Sequence, residues 1–126
     1  MITYFLDRDD VLTAGAAAFG GLVSVRDFGL LDAAVARPMS SVFGVDAYPS
    51  LWLKAAALLH SVARNHALVD GNKRTAWAAA WVFLGCNDHR LSPGFDVDAA
   101  YELMIGVAVG SIEVPELSEA LRRFAV

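Results

Sequence analysis

The chain has 126 residues, 56% of them hydrophobic and 19% charged, with a net charge of −4 and one cysteine. The length suits a single domain, 1–126, able to bury a core. The acidic balance argues against broad binding to nucleic acid or an anionic membrane, both of which select basic surfaces.

The start, Met1 to Asp10, has no basic region ahead of an apolar run, so no secretory signal is expected. The longest strongly apolar segment, Thr75 to Cys86, is too short to span a bilayer. The lone Cys86 excludes an internal disulfide framework and suits a reducing compartment. A soluble cytoplasmic protein is the expectation. Its mean hydropathy of +0.46 also suggests an apolar patch covered by a partner.

The elements read as all-α. Asp7 or Asp10 can cap a helix through about Phe19, ended by Gly20-Gly21. Gly20 to Arg26 reads as a loop or short extended flap. Asp27 caps a short helix, Phe28 to Arg37, stopped by Pro38, and Met39 to Tyr48 reads as irregular. A long helix opens at Pro49-Ser50 and runs to about Asn65, with Leu51, Ala55, Leu58, Leu59, Val62 and Ala63 at core spacing. A second, from about Asn72 to Asn87, is apolar nearly all round and is expected to be the central buried helix. After the turn Ser92-Pro93-Gly94, Asp96 or Asp98 starts a helix to about Gly110, and Pro115 begins a last one ending at Arg122-Arg123.

Between the two long helices lies His66-Ala67-Leu68-Val69-Asp70-Gly71-Asn72-Lys73-Arg74-Thr75. A core has no use for that density of polar groups; a phosphate site has. Asp70-Gly71-Asn72 is a turn leading into a helix, and Gly71 leaves room for a ligand at the backbone. The first N–H groups of that helix lack intrahelical partners and carry the positive end of the dipole. Lys73 and Arg74 add full charges, and Asn72 and Thr75 add neutral donors. His66 can take the proton of an attacking hydroxyl, and Asp70 can hold a magnesium ion bridging phosphate oxygens.

Taken singly, each residue has a plainer explanation: a satisfied histidine at a helix end, an aspartate cap, a solvated first turn. Their coincidence favours function, and so do two cations at a helix start where the dipole disfavours them without an anion. The sequence contains no P-loop and no His pair at zinc spacing. His89 reads as a structural residue in a surface turn, Cys86 as packing, and Trp52, Trp77 and Trp81 as core or partner-facing.

The pattern His66-x-Leu68-x-Asp70-Gly71-Asn72-Lys73-Arg74-Thr75 resembles the Fic/Doc signature, specifically its Doc (death on curing) branch. That branch carries lysine where Fic nucleotide transferases have the second glycine of H-P-F-x-[DE]-G-N-G-R. Arg26-Asp27-x-Gly29-Leu30-Leu31 and the ending Leu121-Arg122-Arg123 are also Doc-like. The resemblance implies an all-α Fic-type helical bundle of about six helices around a central hydrophobic helix. It implies a bacterial toxin of a toxin–antitoxin pair, a protein kinase using ATP and Mg2+ to phosphorylate a threonine of elongation factor Tu and block translation.

By the same resemblance His66 is the base, Asp70 the metal ligand, and Asn72 with the Gly71 to Arg74 backbone the anion hole. Arg74 holds phosphates. Lys73 fills the nucleotide space of Fic relatives, so that ATP binds reversed and presents its terminal phosphate. Leu68 replaces the motif aromatic, and the last Fic arginine falls at Trp77. The chain has no inhibitory [ST]-x-x-x-E-[GN] helix, so restraint is expected from a Phd-like antitoxin whose C-terminal segment folds onto an apolar groove. The competing readings are a nucleotidyl (AMP) transferase using the same site, a catalytically weak antitoxin-binding co-repressor, and, further off, an RNase toxin.

Overall fold

Four of the six helices among the described residues open on a side chain that accepts a free N–H of the first turn. In the computed structural model, which describes residues 2–126, Asp7 and Asp10 form a reciprocal capping box for α1, Arg8–Phe19. Asp27 caps α2, Phe28–Ala36; Ser50 caps α3, Leu51–Asn65; Asp96 caps α5, Val97–Ala108. The other two helices, α4, Asn72–Cys86, and α6, Val114–Arg122, open without such a bond. The all-α expectation holds.

The centre of the bundle is α3, and this corrects the expectation that α4 would be. Nine consecutive-turn positions of α3, from Lys54 to Ala63, are buried, and it packs on α2, α4, α5, α6 and the 3₁₀ turn Arg37–Met39. Helix α4 packs mainly on α3 and α1. Its alanines 76, 79 and 80 are fully buried, while Val82, Gly85 and Cys86 face outward. Apolar composition all round did not mean burial all round, because small residues let α4 lie close to two neighbours and leave a third side bare. Cys86, expected in the packing, is exposed.

Residues Met39 to Tyr48, expected to be irregular, contain a hairpin of two short strands. In it β1, Ser41–Val42, pairs antiparallel with β2, Val45–Asp46. Its turn residues Phe43 and Gly44 both have positive φ, the geometry of a tight hairpin turn without the usual Asn-Gly cue. Two smaller shifts have local causes. Pro38 sits inside the 3₁₀ turn rather than ending a helix, and Pro49 precedes the cap Ser50 instead of entering the first turn of α3.

A polar cluster ties hairpin and turn to α3. Lys54, buried, donates to Asp46 (3.1 Å) and to the Tyr48 carbonyl. Arg37 donates to the Tyr48 hydroxyl (2.8 Å) and to Ser61 (2.9 Å), and its Nη1 lies 3.0 Å from His60 Nδ1. A guanidinium only donates, so Nδ1 accepts and the proton of a neutral ring sits on Nε2, which faces Glu113 at 3.5 Å.

Burial holds the His60 pKa below its ordinary value of 6.5; Arg37 and Arg64 push the same way and Glu113 opposes them. The folded state therefore binds fewer protons there than the unfolded one, and stability rises with pH across that interval. We expect the melting temperature to fall as pH drops from neutrality through 6.5, and to stop responding to this group once the pH is below its folded pKa. Thermal melts of His60→Gln over the same range should give a flatter curve. An equal slope in both proteins rejects the assignment.

Candidate active site

The end of α3 and the start of α4 are joined by a loop held from both sides. His66 closes α3 in the left-handed conformation, φ 53° and ψ 40°, a region non-glycine residues enter at a cost. From the segment after α1, the backbone N–H groups of Arg26 and Asp27 donate to the Ala67 carbonyl (2.7 and 3.0 Å). Val25 bridges Leu68, and Val69 N–H donates to the Ser24 carbonyl (2.9 Å). The Gly20 to Arg26 flap is therefore a short extended strip laid along the motif. From the α4 side, the Asn72 amide accepts from Leu68 N–H and donates to the Leu68 carbonyl, both at 3.1 Å. Leu68, smaller than the aromatic it replaces, is nonetheless fully buried beneath the loop.

His66, Asp70, Gly71, Asn72, Lys73 and Arg74 come together on the wall of one hollow of about 660 Å³, within the usual range for small-molecule pockets of roughly 300–1,000 Å³. The rest of the lining is largely apolar: Trp77 further along α4, Phe19 of α1, Phe95, and Tyr101 and Met104 of α5. A second hollow of about 650 Å³ between α5 and α6 shares Phe95 but contains no motif residue.

Several expected roles change in detail. Thr75, expected as a phosphate donor, does not line the hollow. It is fully buried, and the open face of Gly15 on α1 lies directly against its side chain. Helical period decides this: Thr75 is one turn past Gly71, on the face that meets α1. Gly71, with φ 77°, does not leave its space to a ligand, because a Cβ there would meet the Phe19 ring at 2.8 Å. Asn72 spends its oxygen and one amide N–H on Leu68, so it shapes the loop as much as it faces the pocket. Arg64, close in sequence, turns away and donates to the Val107 carbonyl at 3.2 Å.

What remains facing the hollow is nonetheless coherent. Helix α4 starts without a side-chain cap and without an acidic residue in its first turn. Lys73 and Arg74 are exposed there, and neither forms an ion pair among the described residues. Two unneutralised cations over free N–H groups at a helix N-terminus make a site for a multiply charged anion. Asp70 is the one carboxylate on the pocket wall; its Oδ1 accepts from Gly71 N–H at 2.7 Å, leaving Oδ2 for a ligand. A single carboxylate completed by phosphate oxygens and water is the donor set magnesium prefers, so the residues fit that ion. The imidazole of His66 has no hydrogen-bond partner among the described residues.

The sequence marks Gly20 to Arg26 as a loop or short extended flap without tying it to the motif, and it singles out neither Phe19 nor the α5 wall. Their contributions are backbone hydrogen bonds and apolar contacts, and neither leaves a local pattern. Trp77, read as core or partner-facing, is half-buried at the pocket edge, packed against Phe95 (5.7 Å between rings), Phe124 (5.3 Å) and Trp81 (5.9 Å). His89 packs against Trp52, ring centroids 4.9 Å apart and tilted by 47°.

Comparison with known proteins agrees with this geometry. The Fic/DOC family profile matches residues 5–84, which include α1, the flap, α3 and the motif. The chain is 63% identical over 124 residues to the toxin Doc of Mycolicibacterium smegmatis (strain ATCC 700084 / mc(2)155), covering 98% of this chain and 95% of that protein. It is 33% identical over 110 residues to the protein kinase doc of Escherichia phage P1, covering 87% and 84% respectively. A histidine-ended helix, a clamped loop and an uncapped cationic helix start thus lie within a stretch shared with these proteins, and the chain belongs to the Fic/DOC family, in its Doc branch.

Proposed function

We propose that this protein is the toxin of a toxin–antitoxin pair and acts as a protein kinase, transferring the γ-phosphate of ATP to a threonine hydroxyl of elongation factor Tu in the bacterial cytoplasm. The observation that carries the reading is the pairing of the unneutralised cations Lys73 and Arg74 at the open N-terminus of α4 with the free imidazole of His66 on one pocket wall. Two relatives support it: one named as a toxin, the other as a protein kinase.

In this reading the phosphates lie against the first N–H groups of α4 and the side chains of Lys73 and Arg74. Asp70 would hold magnesium, which would supply charge neutralisation for the transfer. His66 takes the proton of the attacking hydroxyl. The hydroxyl oxygen forms the new bond to the γ-phosphorus, the bond from that phosphorus to the β-bridging oxygen breaks, and ADP leaves with its electron pair. Phe19 and Trp77, both partly buried, give the hollow an apolar edge beside these groups. No helix of the described residues is long and apolar enough to cross a membrane. A Phd-like antitoxin segment laid over the apolar wall would close the same hollow.

Incubation with purified elongation factor Tu and ATP labelled at either the γ- or the α-phosphate tests the reaction. Transfer of the γ-label alone is expected, on a threonine. Transfer of the α-label makes the protein a nucleotidyl transferase; transfer of neither, with magnesium present, removes the kinase reading.

A further inference from the structure

The flap carries one side-chain contact to the motif that the reaction above does not use. Arg26 is exposed and is not part of the pocket wall, yet its guanidinium closes on the backbone carbonyl of His66 with both Nε (2.8 Å) and Nη2. Ala67, Leu68 and Val69 are each pinned by backbone bonds or a bridge to the flap, and Leu68 a second time by Asn72. His66 is not. It lies between the end of α3 and that clamp, in a left-handed conformation that is strained for a residue with a Cβ. Arg26 supplies the only side-chain bond to its backbone among the described residues.

We propose that Arg26 is a positioning residue for His66, holding the left-handed turn that keeps the imidazole on the pocket wall. The inference rests on His66 being the base of the proposed transfer. Its physical logic is local. Two donors converging on one carbonyl fix the peptide plane after His66, and that plane with φ and ψ of His66 sets the direction of Cβ and hence of the ring. Removing the guanidinium leaves residues 67–69 clamped, so the fold is retained and only the base loses its orientation. Arg26 touches neither the cations nor Asp70, so its loss acts on the proton transfer and not on ATP binding.

The test compares wild type with Arg26→Met, which keeps the stem and removes the donors, and Arg26→Lys, which keeps the charge without the planar fork. In the phosphotransfer assay Arg26→Met should lower kcat between about tenfold and a hundredfold with KM for ATP within twofold, and Arg26→Lys should recover part of it. Independently of any reaction, the chain has three histidines, so their ring signals are separable by NMR. The His66 ring signal should shift and broaden in Arg26→Met, while those of His60 and His89 stay in place.

An unchanged His66 signal overturns the proposal, as does unchanged kcat or a raised KM with kcat intact. Should wild type transfer no phosphate to any target, the kinase reading fails by itself. The NMR comparison then still decides whether Arg26 orients His66. Equal movement of all three histidine signals would mean a general loss of structure and would also overturn the proposal.

Discussion

His66→Ala and His66→Gly should both lose phosphotransfer by about 10²- to 10⁴-fold, the range for removing a general base, yet they should differ in stability. Residue 66 ends α3 with φ 53°, where glycine is the unstrained choice and alanine pays for its Cβ. The glycine variant is expected to be more stable than the alanine variant by about 1 kcal/mol, read as a higher denaturation midpoint. The side chain is exposed, so neither variant opens a cavity. Growth of cells expressing either variant should match the empty vector, while wild type arrests it. Toxicity equal to wild type from His66→Ala would remove the imidazole from the chemistry. Equal stability of the two variants would contradict the left-handed turn.

The position that binds chemistry to architecture is Gly15. An alanine there would place its Cβ 2.5 Å from Thr75 Oγ1 and 2.8 Å from its Cγ2, inside the closest approach of α1 and α4. Both residues are buried, and neither helix can retreat without opening its other contacts. Overpacking of this kind costs about 1–3 kcal/mol, which for a chain this size lowers the melting temperature by roughly 3–15 °C. Thr75→Ala should restore much of that loss in the double variant, because the two atoms in the way are removed and the Thr75 hydroxyl has no hydrogen-bond partner to lose. The single variant Thr75→Ala should keep phosphotransfer within about threefold. A hundredfold loss in a folded Thr75→Ala would return that hydroxyl to the phosphate site. Additive losses in the double variant would mean that the two side chains do not meet.

These two positions also mark how far the residues could be read unaided. The run from His66 to Arg74 was legible because its elements are local: a helix end, an Asp-Gly turn and a helix start lie within a few residues of one another, whereas the clamp from the flap, distant in the chain, was not. Thr75 faces α1 and stays out of the hollow. Its residue type suited a phosphate, but its direction depends on α1, sixty residues earlier in the chain. The hairpin went unread because Phe43-Gly44 lacks the usual turn signature, and because its anchoring by Lys54 and Arg37 involves charged side chains that composition assigns to solvent.

From its residues alone, this chain determined that it would be helical, where most helices begin, and that one short loop would collect an imidazole, a carboxylate and two cations. Caps, turns and dipoles act over a few bonds, so their signals survive in one dimension. Only the tertiary structure decided that α3 and not α4 forms the centre, that Phe19 fills the space before Gly71, that Phe95 and Tyr101 join the lining, and that Arg26 reaches the carbonyl of His66. Each of those depends on which face of an element meets another distant in the chain. That choice is made by close packing of the whole core, to which no single segment holds the answer.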